Sequence, residues 1–234
     1  MTRLFIYCIT ATLLFASCRQ HEKVPGTARH AKVSPPAAVN YDSCKKKAIQ
    51  VREQYRLRWD HMPRSEKEKI FTQTVAETII PGWIGTAWSF NGTSQSPQKG
   101  SIACGYFVTT VLQDAGVRLS RTRLAQCASE QMITTLVQPT LIRRFSNLPM
   151  TSFLASVQQQ GYGLYIVGLD NHTGFIYNDG KETWFIHSTF VGTRNVQKEK
   201  AAASWVLSSS KYKVLGKISA DERILSGWVA NTND

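Results

Sequence analysis

Apolar residues Phe107, Val108, Val111, Leu112 and Ala115 recur at three- and four-residue intervals, and Gly116 follows them. That spacing predicts an amphipathic helix that begins at Cys104 and is ended by a glycine. Between residues 42 and 78, Val51, Tyr55, Leu57, Trp59, Ile70, Phe71 and Val75 recur at roughly helical intervals, with Pro63 dividing them. Two helices packing on the downstream chain are expected there. Residues 164–169, 172–177 and 183–188 are short runs of mainly apolar, β-branched and aromatic side chains, the composition of strands. Asn178-Asp179-Gly180-Lys181 separates the last two as a hairpin turn with Asp-Gly at its centre. A further strand is expected at 211–218, and helices at 121–136, 151–160, 199–207 and 221–229. Trp205 and Trp228 are expected as core anchors. The fold class is α+β, an antiparallel sheet packed against the helix that begins at Cys104, with extra N-terminal helices and no internal repeat.

The N-terminus follows different rules. Arg3 precedes an apolar run from Leu4 to Ala16, then Ser17 and Cys18. The run has signal-peptide length, and small residues just before a cysteine resemble the bacterial lipoprotein processing box. Residues 1–17 are therefore expected to be removed and Cys18 lipidated; an ordinary secretory signal with an incidental cysteine is the alternative. Either implies export, and lipidation would anchor the protein to a bacterial membrane, periplasmic or at the cell surface. Residues 18–41, with Pro, Gly and Ala and no apolar period, read as a tether. Residues 42–80 form the helical extension and residues 81–234 the main domain.

Composition narrows the function classes. The 234 residues carry 28 Lys+Arg against 16 Asp+Glu, net +12, with 42% hydrophobic and 19% charged residues and five cysteines. That excludes a polytopic membrane protein, a cystine-built module and a collagen-like chain. The basic face of residues 42–78 could meet anionic phospholipid or cell-wall polymer, or simply be a solvated surface. Nucleic acid is not an expected partner of an exported chain.

Cys104, in the first helical turn, lies near unpaired N–H groups and the positive end of the helix dipole, which lower a thiol pKa. Cys127, in the middle of a helical pattern, reads as a small buried hydrophobe; Cys44 is free or pairs with Cys127. A base is supplied by two of the five histidines. A two-residue turn at Asp179-Gly180 would set His172 directly opposite His187, with Cβ atoms roughly 4.5–5.5 Å apart. One ring can take the thiol proton while the other orients it; Asp170 and Asn171 are alternatives for the orienting role. Cys104, His172 and His187 could also form a three-ligand zinc site, but no water-activating carboxylate is evident and neither metal nor cofactor is expected.

These residues resemble a family. Gly85-Thr86-Ala87-Trp88-Ser89-Phe90-Asn91-Gly92, Cys104-Gly105-Tyr106-Phe107-Val108, His172-Thr173-Gly174-Phe175-Ile176-Tyr177 and His187-Ser188-Thr189 look like the NlpC-type papain-like cysteine peptidases. The resemblance spans about residues 81–190 and implies a papain-like sheet, with Cys104 as nucleophile, His172 as base and His187 as orienting residue. Trp88 and Gly105 would contact substrate. The activity implied is hydrolysis of amide bonds in peptidoglycan stem peptides or another peptide-like acyl substrate. The sequence departs from the family in Ala103-Cys104-Gly105-Tyr106, where Asp-Cys-Ser-Gly is usual, and in Trp88, where a tyrosine is expected. An inactive cell-wall-binding lipoprotein of the same fold and a thiol acyltransferase are the alternatives.

Overall fold

A computed structural model of the protein describes residues 40–231. The signal segment, Cys18 and nearly all of the tether lie outside the described residues. Helix α1 (Tyr41–Arg56) opens at Asn40, whose side chain accepts the Ser43 N–H. Pro63 precedes α2 (Arg64–Gln73), which runs through a π-helical stretch into α3 (Ile80–Trp83). Helix α4 (Cys104–Ala115) starts at the cysteine and ends at Gly116, whose φ of 106° is left-handed. A glycine reaches that conformation without a Cβ clash.

The helix expected over 121–136 is two helices, α5 (Arg121–Gln126) and α6 (Ser129–Leu136). Extended backbone at Cys127 and Ala128 interrupts it, so Cys127 is a half-buried cap residue rather than a core one. Cys44 and Cys127 are both free thiols. There follow β1 (Ile142–Ser146), α7 (Met150–Gln160), β2 (Gly163–Leu169), β3 (Thr173–Asn178) and β4 (Thr183–Ser188). The chain closes with β5 (Val196–Lys200), α8 (Trp205–Ser209), β6 (Tyr212–Gly216) and α9 (Glu222–Ala230). Two of these correct the sequence expectations. Residues 199–207 are not one helix: β5 ends at Lys200, a 3-10 turn follows, and α8 is short. Trp205 is accordingly 62% exposed, whereas Trp228 is fully buried as expected.

The six strands form one antiparallel sheet in the order β1-β6-β2-β3-β4-β5. Every residue of β2 and β3 is buried, because helices cover both faces. Leu164, Ile166, Phe175 and Ile186 face a cluster that includes Phe107, Val111, Ile133, Phe71 and Trp228. Tyr165, Val167, Ile176 and Phe185 face Phe153 and Val157 of α7 and Leu207 of α8. The N-terminal helices thus share a core with the sheet. Trp59, Trp83 and Trp228 are at most 1% exposed; burying roughly 150–250 Å² each is worth about 4–6 kcal/mol before entropy is counted. Among the described residues no helix is long and apolar enough to cross a membrane.

Candidate active site

The segment before α4 is irregular but held. Gly85 and Trp88 N–H groups donate to the Val196 and Arg194 carbonyls at 2.7 and 2.8 Å, laying the chain along β5. The Ala103 N–H donates to the Gly92 carbonyl at 2.8 Å, and the Ser188 hydroxyl to the Ile102 carbonyl at 2.6 Å. Ala103 offers no side-chain cap, so the first amides of α4 stay available at Cys104. Gly105 is buried, and a Cβ there would collide with the Ala125 carbonyl oxygen. Its small size sets the close approach of α5 to α4, although it also borders the space beside Cys104.

The hairpin brings the two histidines together by a different register from the one expected. Asn178 pairs with Thr183 and the Asp179 N–H donates to the Glu182 carbonyl at 3.1 Å, so the turn is centred on Gly180-Lys181, one residue later than expected. The Asp179 carboxylate accepts the Lys181 and Glu182 N–H groups, both at 2.8 Å, and stabilises that shifted turn. The register moves by two residues, so Gly174 and not His172 faces His187. A Cβ on Gly174 would lie 2.8 Å from the His187 Cβ. The missing side chain lets His172 reach diagonally across, and its Nε2 is 2.8 Å from His187 Nδ1. Side-chain parity survives a two-residue shift, which is why both rings still share one face.

A third member continues the chain of contacts. Glu199 Oε1 lies 3.2 Å from His187 Nε2, and the Gln197 amide is 3.3 Å from the same nitrogen. Glu199 escaped the sequence reading because residues 199–207 looked helical. The alternation in Val196-Gln197-Lys198-Glu199-Lys200, one buried residue followed by polar ones, was the available strand signal. Asp170 does not orient the histidines: its carboxylate accepts the Ser210 hydroxyl and the Lys211 and Tyr212 N–H groups. Asn171 borders the cavities beside His172. His187 stacks on Phe185 at 4.0 Å between centroids, which fixes its plane.

Electrostatics assign the protons. The hydrogen bond to His187 leads the effects that keep the Glu199 carboxyl below its usual range, so it is an anion that accepts the His187 Nε2 proton. Burial lowers the His187 pKa against the pull of Glu199. A neutral His187 then presents a bare Nδ1, and His172 Nε2 must donate to it. Burial, with the adjacent His187 ring adding to it, holds His172 down to about 3. His172 is therefore neutral and Nδ1 is its free basic nitrogen.

Cys104 is half-buried, and the backbone N–H groups of Thr173, Gly105 and Cys104 itself lower its pKa. Burial outweighs them and pushes the thiol up. The expected thiolate-favouring effect of the helix start is present but overruled by desolvation. At rest the site is consequently a neutral thiol and a neutral imidazole rather than an ion pair.

Cys104 and His172 border two cavities at once. The larger, about 710 Å³, is walled by Trp88, Phe90, Tyr106, Gln126 and Phe190 among others. The smaller, about 260 Å³, includes Ser129, Asp170 and Asn171. Trp88 is half-buried; its ring lies 6.1 Å from Phe190 and 5.0 Å from the Arg194 guanidinium. A zinc site of Cys104, His172 and His187 does not fit, because His172 and His187 spend facing nitrogens on each other. Among the described residues no three His, Cys, Asp or Glu side chains converge as metal ligands. No family model, no curated protein and no solved structure matches the chain.

Proposed function

We propose that the protein is a cysteine hydrolase of amide or ester bonds, built on a papain-like, NlpC-type arrangement. The observation that carries this reading is the relay from Glu199 through His187 to His172, which lines the same open cavity as Cys104 at the start of α4. Cys104 Sγ attacks the substrate carbonyl while its proton passes to His172 Nδ1. The Cys104 N–H faces the developing oxyanion. His172 then protonates the leaving group, and water activated by the same nitrogen releases the acyl group from sulfur. His187 and Glu199 position that nitrogen and fix its tautomer. Cell-wall stem peptides are the amides that the family resemblance implies. Export and a lipid anchor at Cys18 belong to the same proposal.

The test is incubation of the full-length protein with p-nitrophenyl acetate, followed by intact-mass spectrometry. A single acetyl group on Cys104 that turns over, and its absence with loss of turnover in Cys104→Ala, is expected. Undiminished turnover in Cys104→Ala would end the reading.

A further inference from the structure

The lining of the larger cavity points to a substrate class. Its side chains are aromatic, small or neutral and polar: Trp88, Phe90, Tyr106 and Phe190 beside Asn91 and Gln126, and among the described residues no Lys, Arg, Asp or Glu borders it. Two arginines stack on its aromatic walls without lining the cavity themselves. Arg121 lies 4.8 Å over Tyr106 and donates to the Thr93 and Ser94 carbonyls, while Arg194 lies 5.0 Å over Trp88. Phe90 is 82% and Phe190 37% exposed, so apolar surface continues outward from the mouth. The volume of about 710 Å³ is within the roughly 300–1,000 Å³ of small-molecule sites. The smaller cavity shares Cys104, Asn171 and His172 with the larger and adds Ser129 and Asp170.

A carboxylate carried into the larger cavity would lose water against a lining that holds no cation among the described residues, which is disfavoured. A hydrocarbon chain there gains about fourfold in binding for each methylene buried. We infer that the acyl group delivered to Cys104 is an uncharged apolar chain carried on a polar leaving group, which narrows the amide or ester substrate and sets aside the charged stem peptides that the family resemblance implies. This rests on the cysteine-hydrolase reading. In the acylation step the Sγ–C bond forms and the C–O or C–N bond breaks. The thiol proton reaches the departing oxygen or nitrogen through His172. Water then supplies a hydroxyl to the acyl carbon and a proton to sulfur, releasing a fatty carboxylic acid and the free thiol.

The experiment uses full-length protein and straight-chain p-nitrophenyl esters from acetyl to octanoyl. The succinyl monoester is compared with the butyryl ester, which has the same chain length but no terminal carboxylate. Rates come from p-nitrophenolate release, and intact mass locates the acyl group. The expected result is a kcat/KM that rises about fourfold per methylene, with succinyl at least 100-fold below butyryl. Phe90→Asp should lower octanoyl turnover more than acetyl turnover. A flat series, or succinyl equal to butyryl, with Cys104 still acylated, would overturn the apolar-acyl inference and leave the cysteine reading standing. Absence of acyl-Cys104 with every ester would defeat the cysteine reading itself, and the inference with it.

Discussion

At Cys104, two opposing effects meet on one sulfur, and the larger decides the chemistry. Burial raises the thiol more than three backbone N–H groups lower it, and the His172 imidazole that lines the same cavity is neutral down to about 3. Alkylation of Cys104 by iodoacetamide should therefore rise with pH along a limb above the usual thiol value of about 8.5. A plateau extending to pH 5 would show a resting thiolate–imidazolium pair and contradict the protonation states assigned. Glu199 acts two rings away from the sulfur, so its effect belongs in kcat. Glu199→Ala should lower kcat with little change in KM and with His172 still required; an unchanged kcat would remove Glu199 from the relay.

The hairpin shows what an element can reveal in sequence and what it conceals. Strands were legible from side-chain type at 172–177, one residue early against β3, and at 183–188, and so was the shared face of His172 and His187. The exact position of the turn was not, because Asp179 accepts the Lys181 and Glu182 N–H groups with its own carboxylate and the turn centres on Gly180-Lys181, one residue beyond Asp179-Gly180. Glycine 174 is the element-level consequence of that register. Gly174→Ala should push His187 away from His172 and lower turnover, at about 1–3 kcal/mol of overpacking. Circular dichroism with steady-state rates checks it, and full activity in a folded variant would contradict the diagonal contact. The edge strands were the least legible elements. β1 holds two exposed arginines in five residues and β5 alternates charges, patterns that protect sheet edges and hide the strand period. The start and end of α4 were readable because an apolar stripe and a C-terminal glycine coincide there.

At the scale of the molecule, helices on both faces make the sheet a buried layer, and the histidines are buried in it, with His172 reaching the cavity wall. His172 is 4% and His187 0% exposed. In the unfolded chain these rings take protons near pH 6.5, while folded His172 does so only near 3. The unfolded state thus binds more protons between those values, and stability falls as pH drops through that window. The urea midpoint should decrease from pH 7 to pH 4, and by less in His172→Asn. Parallel pH profiles for the two proteins would contradict a buried neutral imidazole.

Three free thiols share the described chain: Cys44, Cys104 and Cys127, all half-buried. That provides an internal comparison for the claim that His172 activates Cys104. The measurement is the single-turnover acylation rate of each thiol by p-nitrophenyl acetate, resolved by peptide mass spectrometry, in the native protein and in His172→Ala. Cys104 should acylate fastest in the native protein and slow by about 10²–10⁴-fold in the variant, with Cys44 and Cys127 unchanged. Equal rates at the three cysteines, or a Cys104 rate indifferent to His172, would contradict the mechanism.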